Sequence, residues 1–411
     1  MVYTIKHLNN INASIQLPAS KSISNRALIL CALSNNNFPI LNLSNSDDTQ
    51  VMLKAFNSED TLIDIGAAGT SMRFLTAYFS QCQGNKIITG SERMKNRPIR
   101  ILVEALQQIG AEISYLEKEG FPPLQIDGRK LIGGNLMLDG SVSSQYLSAL
   151  MMIAPLMEKG LEISLIGDIV SRPYIKMTLR LMELFGVKTV WEGKNIRIAP
   201  QIYTACPFKV ESDWSAASYW YEIMALAQGN PNVELLGLEE NSMQGDSKTV
   251  ELFKKLGITT DFLSSGSVQL TRLPADKTRM ELFSYDFVNE PDLAQTLVVT
   301  CCMLGIPFQF SGLQSLKIKE TDRTAALQTE LKKLGYIVKS YPEGLMEWGG
   351  ERCEPESDPV ISTYEDHRMA MAFAPVCQKA GKIRIENPEV VTKSYPGYWE
   401  DLKKAGFLAT S

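Results

Sequence analysis

Histidine is almost missing from this chain: only His7 and His367 occur in 411 residues. A multi-histidine metal site therefore cannot be assembled within one copy, and neither a metal nor another cofactor is expected. The seven cysteines, Cys31, Cys82, Cys206, Cys301, Cys302, Cys353 and Cys377, are scattered, odd in number and without a Cys-x-x-Cys pair. That usage argues for buried, reduced thiols. No run of about 18 apolar residues exists to span a bilayer. The N-terminus, Met1-Val-Tyr-Thr-Ile-Lys6, lacks a basic start leading into an apolar stretch. The expectation is a cytoplasmic protein with no membrane partner. Excess charge of one sign is lacking too: 41 basic against 46 acidic residues, interspersed, give a net charge of −5. This excludes the broad basic face of a nucleic-acid binder, so any cationic site must be local.

What is present is the composition of a packed globule. Hydrophobic residues make up 45% and charged residues 21%, with 15 Phe and 14 Tyr, enough to bury a sizeable core. The length exceeds one ordinary core, and two domains of about 200 residues are expected. One phrase recurs along the chain, an amphipathic helix ending in an apolar residue and glycine, followed by a short extended run. It is written Ile101-Leu-Val-Glu-Ala-Leu-Gln-Gln-Ile-Gly110, Leu179-Arg-Leu-Met-Glu-Leu-Phe-Gly186, Val250-Glu-Leu-Phe-Lys-Lys-Leu-Gly257, Leu327-Gln-Thr-Glu-Leu-Lys-Lys-Leu-Gly335 and Trp399-Glu-Asp-Leu-Lys-Lys-Ala-Gly406. A Leu-Gly helix end is commonplace; five of them spaced by roughly 70 to 80 residues form a period. A weaker sixth copy is Val51-Met-Leu-Lys-Ala-Phe-Asn57, with Asn57 at the position that tolerates a left-handed backbone. The unit is too long for a solenoid and fits a small α/β subdomain used three times in each of two domains.

The helix starts are more informative than their ends. Two open with Arg97-Pro98 and Arg172-Pro173, proline suiting the first helical position. Others open on Gly245-Asp-Ser-Lys248, Lys319-Glu-Thr-Asp-Arg323 and Lys393-Ser-Tyr-Pro396. Helix N-termini, whose free N–H groups favour anions, thus repeatedly carry cationic or hydroxyl side chains. Near the start of the chain, Lys21, Ser22, Asn25 and Arg26 share the opening turns of an apolar-faced helix. Gly66-Ala-Ala-Gly69-Thr70-Ser-Met-Arg73 is a small-residue turn into a helix that lets an oxyanion approach the backbone. Ser143-Ser144-Gln145 is a hydroxyl-rich start serving capping or ligand binding alike. Asp292, in Asn289-Glu-Pro-Asp292, is a helix cap or a working carboxylate. Glu320, Asp322 and Arg323, like Asp366, His367 and Arg368, set acids beside arginines just before apolar helices.

Taken in order, Ser20-Lys21-Ser22 with Arg26, Ala68-Gly69-Thr70 with Arg73, Arg97-Pro98, Ser143-Ser144-Gln145, Ser171-Arg-Pro-Tyr174, Pro291-Asp292, Lys319-Glu-Thr-Asp-Arg323, Asp366-His-Arg368 and Lys393-Ser-Tyr-Pro396 closely resemble the enolpyruvylshikimate-phosphate synthase family. The resemblance runs from about Leu17 to Pro396. It implies an α/β (α+β) fold, a two-domain inside-out α/β barrel with three βαβαββ repeats per domain, helices inside and sheets outside. Domain I would comprise residues 1–19 and 212–411, domain II residues 20–211, with the active site in the cleft between them. It also implies transfer of the enolpyruvyl group of phosphoenolpyruvate to shikimate-3-phosphate, by a monomer without a cofactor. Lys21, Gly69, Arg97, Gln145, Arg323, Arg368 and Lys393 would bind phosphoenolpyruvate. Lys21, Ser22, Arg26, Ser143, Ser144, Gln145, Ser171, Tyr174, Asp292, Ser315 and Lys319 would bind shikimate-3-phosphate. Catalysis would fall to Asp292, Glu320, Lys393, Lys21 and His367, with His367 orienting Glu320 and Arg368.

Two positions depart from the family pattern: Ala67 stands where relatives often carry Asn, and Ser315 likewise. Two rival readings are a UDP-N-acetylglucosamine enolpyruvyl transferase of the same fold and a non-enzymatic anion-binding relative. The first typically uses a reactive cysteine on a glycine-rich loop, and the corresponding stretch Gly120–Gly134 contains none. The second would keep the cations without needing Asp292, Glu320 and His367 together.

Overall fold

A computed structural model describes residues 1–8, 10–34, 38–274 and 280–411. The chain forms two compact units, one of Met1–Pro18 with Glu211–Ser411 and one of Ala19–Val210. The described residues of the first contain three four-stranded sheets, those of the second two four-stranded sheets and one of two strands. All five larger sheets share one topology. Strands Leu62–Asp64 and Gly84–Thr89 pair in parallel across the helix Gly69–Gln81, and the hairpin Glu112–Tyr115/Leu124–Gly128 adds antiparallel. The same parallel pair plus hairpin recurs around Leu161–Ile166, Asn232–Leu236 and Phe308–Ser311, and around Lys382–Glu386 the place of the hairpin is taken by strands from the two ends of the chain, Val2–His7 and Phe407–Thr410. This is the βαβαββ unit, and its strands bury one face, as in the alternating pattern of Leu161–Ile166.

Each repeat contributes two kinds of helix. The first kind is apolar on every side and therefore buried all round. Trp214–Leu226, Ala294–Leu304 and His367–Phe373 pack against one another inside the first unit; Lys21–Leu33, Gly69–Gln81 and Ser144–Ile153 do so in the second. The second kind is amphipathic: Arg100–Gln108 buries Leu102, Val103, Ala105 and Leu106 and leaves its charged face to solvent. The ends of the interior helices are where hydrophilic groups most readily gather. That is where Lys21, Thr70, Gln145, Ser215 and Arg368 stand.

The five repeat glycines all take a left-handed backbone, with φ of +104° at Gly110, +82° at Gly186, +85° at Gly257, +87° at Gly335 and +89° at Gly406. At Gly110, Gly186 and Gly335 the two closing hydrogen bonds of a Schellman stop are complete, such as Gly110 N–H to Gln107 O and Ala111 N–H to Leu106 O. The sixth copy departs from expectation. Asn57 is the last helical residue of Asp47–Asn57 and the chain leaves through extended Ser58 (φ −93°, ψ 129°). It belongs to the degenerate repeat whose sheet is only Phe208–Lys209 paired with Ile40–Leu41, so there is no hairpin for a sharp reversal to enter. Two helix starts also move. The helix after Arg97-Pro98 begins at Arg100, behind Ile99, whose backbone (φ −135°, ψ 0°) is not helical. Lys393 ends a 3-10 stretch, Pro388–Lys393, and the helix proper waits until Tyr398, beyond Pro396. All seven cysteines are free; Cys301, Cys302 and Cys377 are buried, while the other four are only partly so. No helix among the described residues is long and apolar enough to cross a membrane.

Candidate active site

In the unit formed by residues 1–18 and 211–411, one guanidinium organises three carboxylates. Arg323, the first residue of the helix Arg323–Lys333, donates from Nε to Asp366 Oδ2 (2.7 Å), from Nη1 to Asp292 Oδ1 (3.0 Å) and from Nη2 to Glu320 Oε2 (2.9 Å). Its side chain is 2% exposed. Burial pulls the guanidinium pKa down, but Asp366, Glu320 and Asp292 outweigh that and hold it above the ordinary arginine value. Arg368 grips the other oxygen of Asp292, Nη2 to Oδ2 at 3.0 Å, and reaches Tyr219 Oη and Ser215 Oγ, each at 3.4 Å. Lys319 Nζ stands 4.0 Å from Asp292 Oδ1, and desolvation lowers its pKa although Asp292 opposes the change. Lys393 Nζ closes the group on Glu320 Oε1 at 2.9 Å. Thus Asp292, Glu320, Lys319, Arg323, Arg368 and Lys393 are brought together from four sequence segments. His367 sits behind them, buried, its Nδ1 3.7 Å from Asp366 Oδ1.

The local folding reasons are visible. Asp366 caps the buried helix by accepting from Arg368 N–H at 2.9 Å, and Asp322 caps the next by accepting from the Thr324 and Ala325 amides. Asp292 occupies a 3-10 turn, Pro291–Leu293, that runs into Ala294–Leu304. Ser315 is half-buried in the 3-10 stretch Gln314–Ile318 that precedes Lys319.

The unit Ala19–Val210 holds a different constellation. Arg26 is 2% exposed and is held by neutral groups: Nε donates to Thr178 Oγ1 (2.7 Å), Nη1 to Ser22 O (2.8 Å) and Nη2 to Ser148 Oγ (3.0 Å). Its guanidinium lies 5.3 Å from the Phe74 ring centre. Burial pushes its pKa down to about 10, which leaves it charged at neutral pH. Thr178 passes a hydrogen bond on to Tyr174 O at 2.9 Å. Tyr174 follows Ser171, which takes a left-handed backbone (φ +53°) just ahead of the helix Arg172–Leu184. Lys21 Nζ is 3.6 Å from Asp48 Oδ2. Gln145 Nε2 donates to Thr70 Oγ1 at 3.2 Å, and exposed Ser143 caps Gln145 N–H ahead of half-buried Ser144. Gly69 is required by close approach: a Cβ there would lie 2.7 Å from Arg97 Nη1 and 2.8 Å from Arg73 Nη1. Two cations therefore press against one short piece of backbone.

Sequence reasoning passed over several residues of these networks. Asp366, Asp48, Asp246, Ser215 and Tyr219 were not among the expected site residues. Asp366 could have been found from its place in Asp-His-Arg before an apolar helix; Asp48 and Tyr219 carry no such signal. Asp246 is 4% exposed and accepts from Ser215 Oγ, which Arg368 also approaches. Burial and the nearby Asp292 push its carboxyl up to about 7, against Arg368 and Ser215. Among the described residues no group of three or more His, Cys, Asp or Glu is arranged to hold a metal ion.

The family model described as EPSP synthase (3-phosphoshikimate 1-carboxyvinyltransferase) matches residues 5–58 and 54–402. A Bacteroides fragilis protein named 3-phosphoshikimate 1-carboxyvinyltransferase is 56% identical over 408 residues, covering 99% of this chain and 98% of the relative. One of the same name from Aliivibrio fischeri is 35% identical over 430 residues, covering 98% of each. The solved EPSP synthase of Acinetobacter baumannii superposes with a TM-score of 0.78 over the full length of both chains at 20% identity, a likeness of fold. Matches of this extent, together with two units of βαβαββ repeats that carry helices inside and sheets outside, place the chain in the EPSP synthase (3-phosphoshikimate 1-carboxyvinyltransferase) family.

Proposed function

We propose that this chain transfers the 1-carboxyvinyl group of phosphoenolpyruvate to the 5-hydroxyl of shikimate-3-phosphate and releases inorganic phosphate. One observation carries the reading. The carboxylate of Asp292 is bracketed by Arg323 and Arg368, each 3.0 Å away, while a second acid, Glu320, is paired with Lys393 alongside it. Addition across an enol double bond needs a base at the attacking hydroxyl and an acid at the methylene carbon, and two differently partnered carboxylates supply that pair.

Asp292 takes the proton of the 5-hydroxyl as its oxygen bonds to C2 of phosphoenolpyruvate, and Glu320 with Lys393 delivers a proton to C3. The tetrahedral ketal phosphate then returns a proton from its new methyl group to Glu320 as the C2–O bond to phosphate breaks, the double bond is restored, and the leaving phosphate carries away the proton held by Asp292. Arg323 and Arg368 receive the substrate carboxylate through their paired donors. Asp292 itself accepts one N–H from each of these guanidiniums. A substrate carboxylate entering there competes with Asp292, which loosens it toward the hydroxyl. Lys21, Arg97, Gln145 and the Gly69 backbone take the phosphate of phosphoenolpyruvate. Ser22, Arg26, Ser143, Ser144, Ser171, Tyr174, Ser315 and Lys319 hold shikimate-3-phosphate. The partners are these substrates alone, acted on by a cytoplasmic monomer.

The reading is supported by the charge of the substrates. Each brings a phosphate and a carboxylate, and each ion pair at 4 Å supplies about 4 kcal/mol at an effective dielectric near 20. The test is phosphate release from phosphoenolpyruvate by purified protein. Release that requires shikimate-3-phosphate is expected; release supported by UDP-N-acetylglucosamine instead, or none from folded protein, would overturn it.

A further inference from the structure

Arg368 is delivered to Asp292 by a piece of backbone that is costly to form. Tyr364 (φ +53°) and Glu365 (φ +55°) stand side by side in the left-handed region, neither of them glycine, immediately before Asp366, His367 and Arg368. Such a conformation persists only where its surroundings over-determine it. The restraint comes from one helix, Arg323–Lys333. At its start Arg323 holds Asp366, the residue that ends the strained pair. Seven residues on, nearly two full turns and so on nearly the same side, Glu330 is fully buried and holds the other end. Its Oε1 accepts from Tyr364 Oη at 2.6 Å and its Oε2 from Ser362 N–H at 3.1 Å. Lys333 Nζ compensates the charge at 2.7 Å and itself reaches Val360 O at 2.8 Å.

We infer that Glu330, acting through Tyr364, is a positioning residue: it clamps the left-handed turn that aims Arg368 at Asp292, so that Arg323–Lys333 sets both guanidinium forks of the carboxylate site from a single rigid element. This rests on the reading of Arg323 and Arg368 as the receptors of the substrate carboxylate. Glu330 touches no reacting atom, so its loss acts through the turn that carries Arg368. The signature is therefore selective, a weakened hold on phosphoenolpyruvate with shikimate-3-phosphate unaffected.

Three variants test it: Glu330→Ala, which removes the clamp; Glu330→Gln, which keeps an acceptor for Tyr364; and Tyr364→Phe, which deletes one hydroxyl from a partly exposed ring. Glu330→Ala is expected to raise KM for phosphoenolpyruvate at least about tenfold and Tyr364→Phe about threefold or more, the scale of losing one or two hydrogen bonds. KM for shikimate-3-phosphate stays within about twofold. Glu330→Gln should restore most of the loss. Hydrogen exchange of the amides from Ser362 to Arg368 should quicken about tenfold in Tyr364→Phe while the helix Tyr398–Lys404 is unchanged. Unaltered exchange in Tyr364→Phe, or equal shifts in both KM values, overturns the inference. Should Glu330→Ala fail to fold, Tyr364→Phe decides. A wild-type protein that releases no phosphate defeats the functional reading instead, and the exchange measurement still judges the clamp.

Discussion

The two units handle buried positive charge in opposite ways. In the unit of residues 1–18 and 211–411 the cations Arg323, Arg368, Lys319 and Lys393 are all tied to carboxylates, with Asp292, Glu320 and Asp366 shared among them. In the unit of residues 19–210 the most buried cation, Arg26, is satisfied by two hydroxyls and a carbonyl. A carboxylate can exchange a proton and a hydroxyl of Thr or Ser at neutral pH does not. The difference is the one the proposed function calls for, with proton chemistry in the first unit and neutral, polar anchoring in the second. It also predicts different penalties for breaking each.

The largest expected effect is on turnover. Asp292→Asn keeps the shape of the side chain and one acceptor but removes the base, and kcat is expected to fall about 10²- to 10⁴-fold in a phosphate-release assay, with the protein still folded. An enzyme near full rate would place the base elsewhere. Next comes stability. Arg323→Met leaves Asp292, Glu320 and Asp366 facing one another without their shared cation, a change on the order of 3–5 kcal/mol. Arg26→Met leaves hydroxyls that re-pair with each other, as Ser148 and Thr178 already do at 2.8 Å, and about 1–2 kcal/mol is expected. Urea unfolding of the two variants measures the gap directly, and equal losses would erase the contrast between the units.

How much of this could be read before the fold was known differs along the same line. The five repeat glycines announced themselves because a left-handed helix stop has one cheap residue, and all five take that conformation. The acid–arginine turns were legible because Asp322 and Asp366 are helix caps, which places them at helix starts beside Arg323 and Arg368. Partners contributed by distant segments were not legible. Asp48 meets Lys21 across 27 positions, and Tyr219 meets Arg368 across 149, through packing that no local pattern encodes. The helix starts at Arg97 and Lys393 were misplaced because proline was read as an opener in segments where the helix begins beyond it instead.

A smaller effect probes the second unit's use of backbone. Gly69→Ala pushes a methyl to within 2.7 Å of Arg97 Nη1, and because that atom ends a flexible side chain it yields rather than the backbone. Folding should survive, while KM for phosphoenolpyruvate rises about tenfold as Arg97 leaves its place. An unchanged KM would remove Arg97 from the phosphate site.

A final test concerns Asp246, a buried acid of the first unit that reaches Arg368 only by way of Ser215. Asp246 is held up to about 7 by burial and by Asp292, against an ordinary value of 3.8. A folded-state value above the unfolded one means that the native protein binds the extra proton between those limits, so stability from this group is complete below about pH 4 and is lost as the pH climbs through about 7. Asn at this position imitates the protonated acid and cannot lose a proton. Unfolding free energies of wild type and Asp246→Asn should therefore agree near pH 4 and diverge, wild type becoming the weaker, by up to about 1.4 kcal/mol per pH unit until about pH 7. Glu211 and Glu222, also raised by burial, are common to both proteins and cancel in the difference. Parallel curves across that range would mean that Asp246 is already ionised and is balanced by Arg368 through Ser215, which would add a fourth acid to the network of Asp292, Glu320 and Asp366.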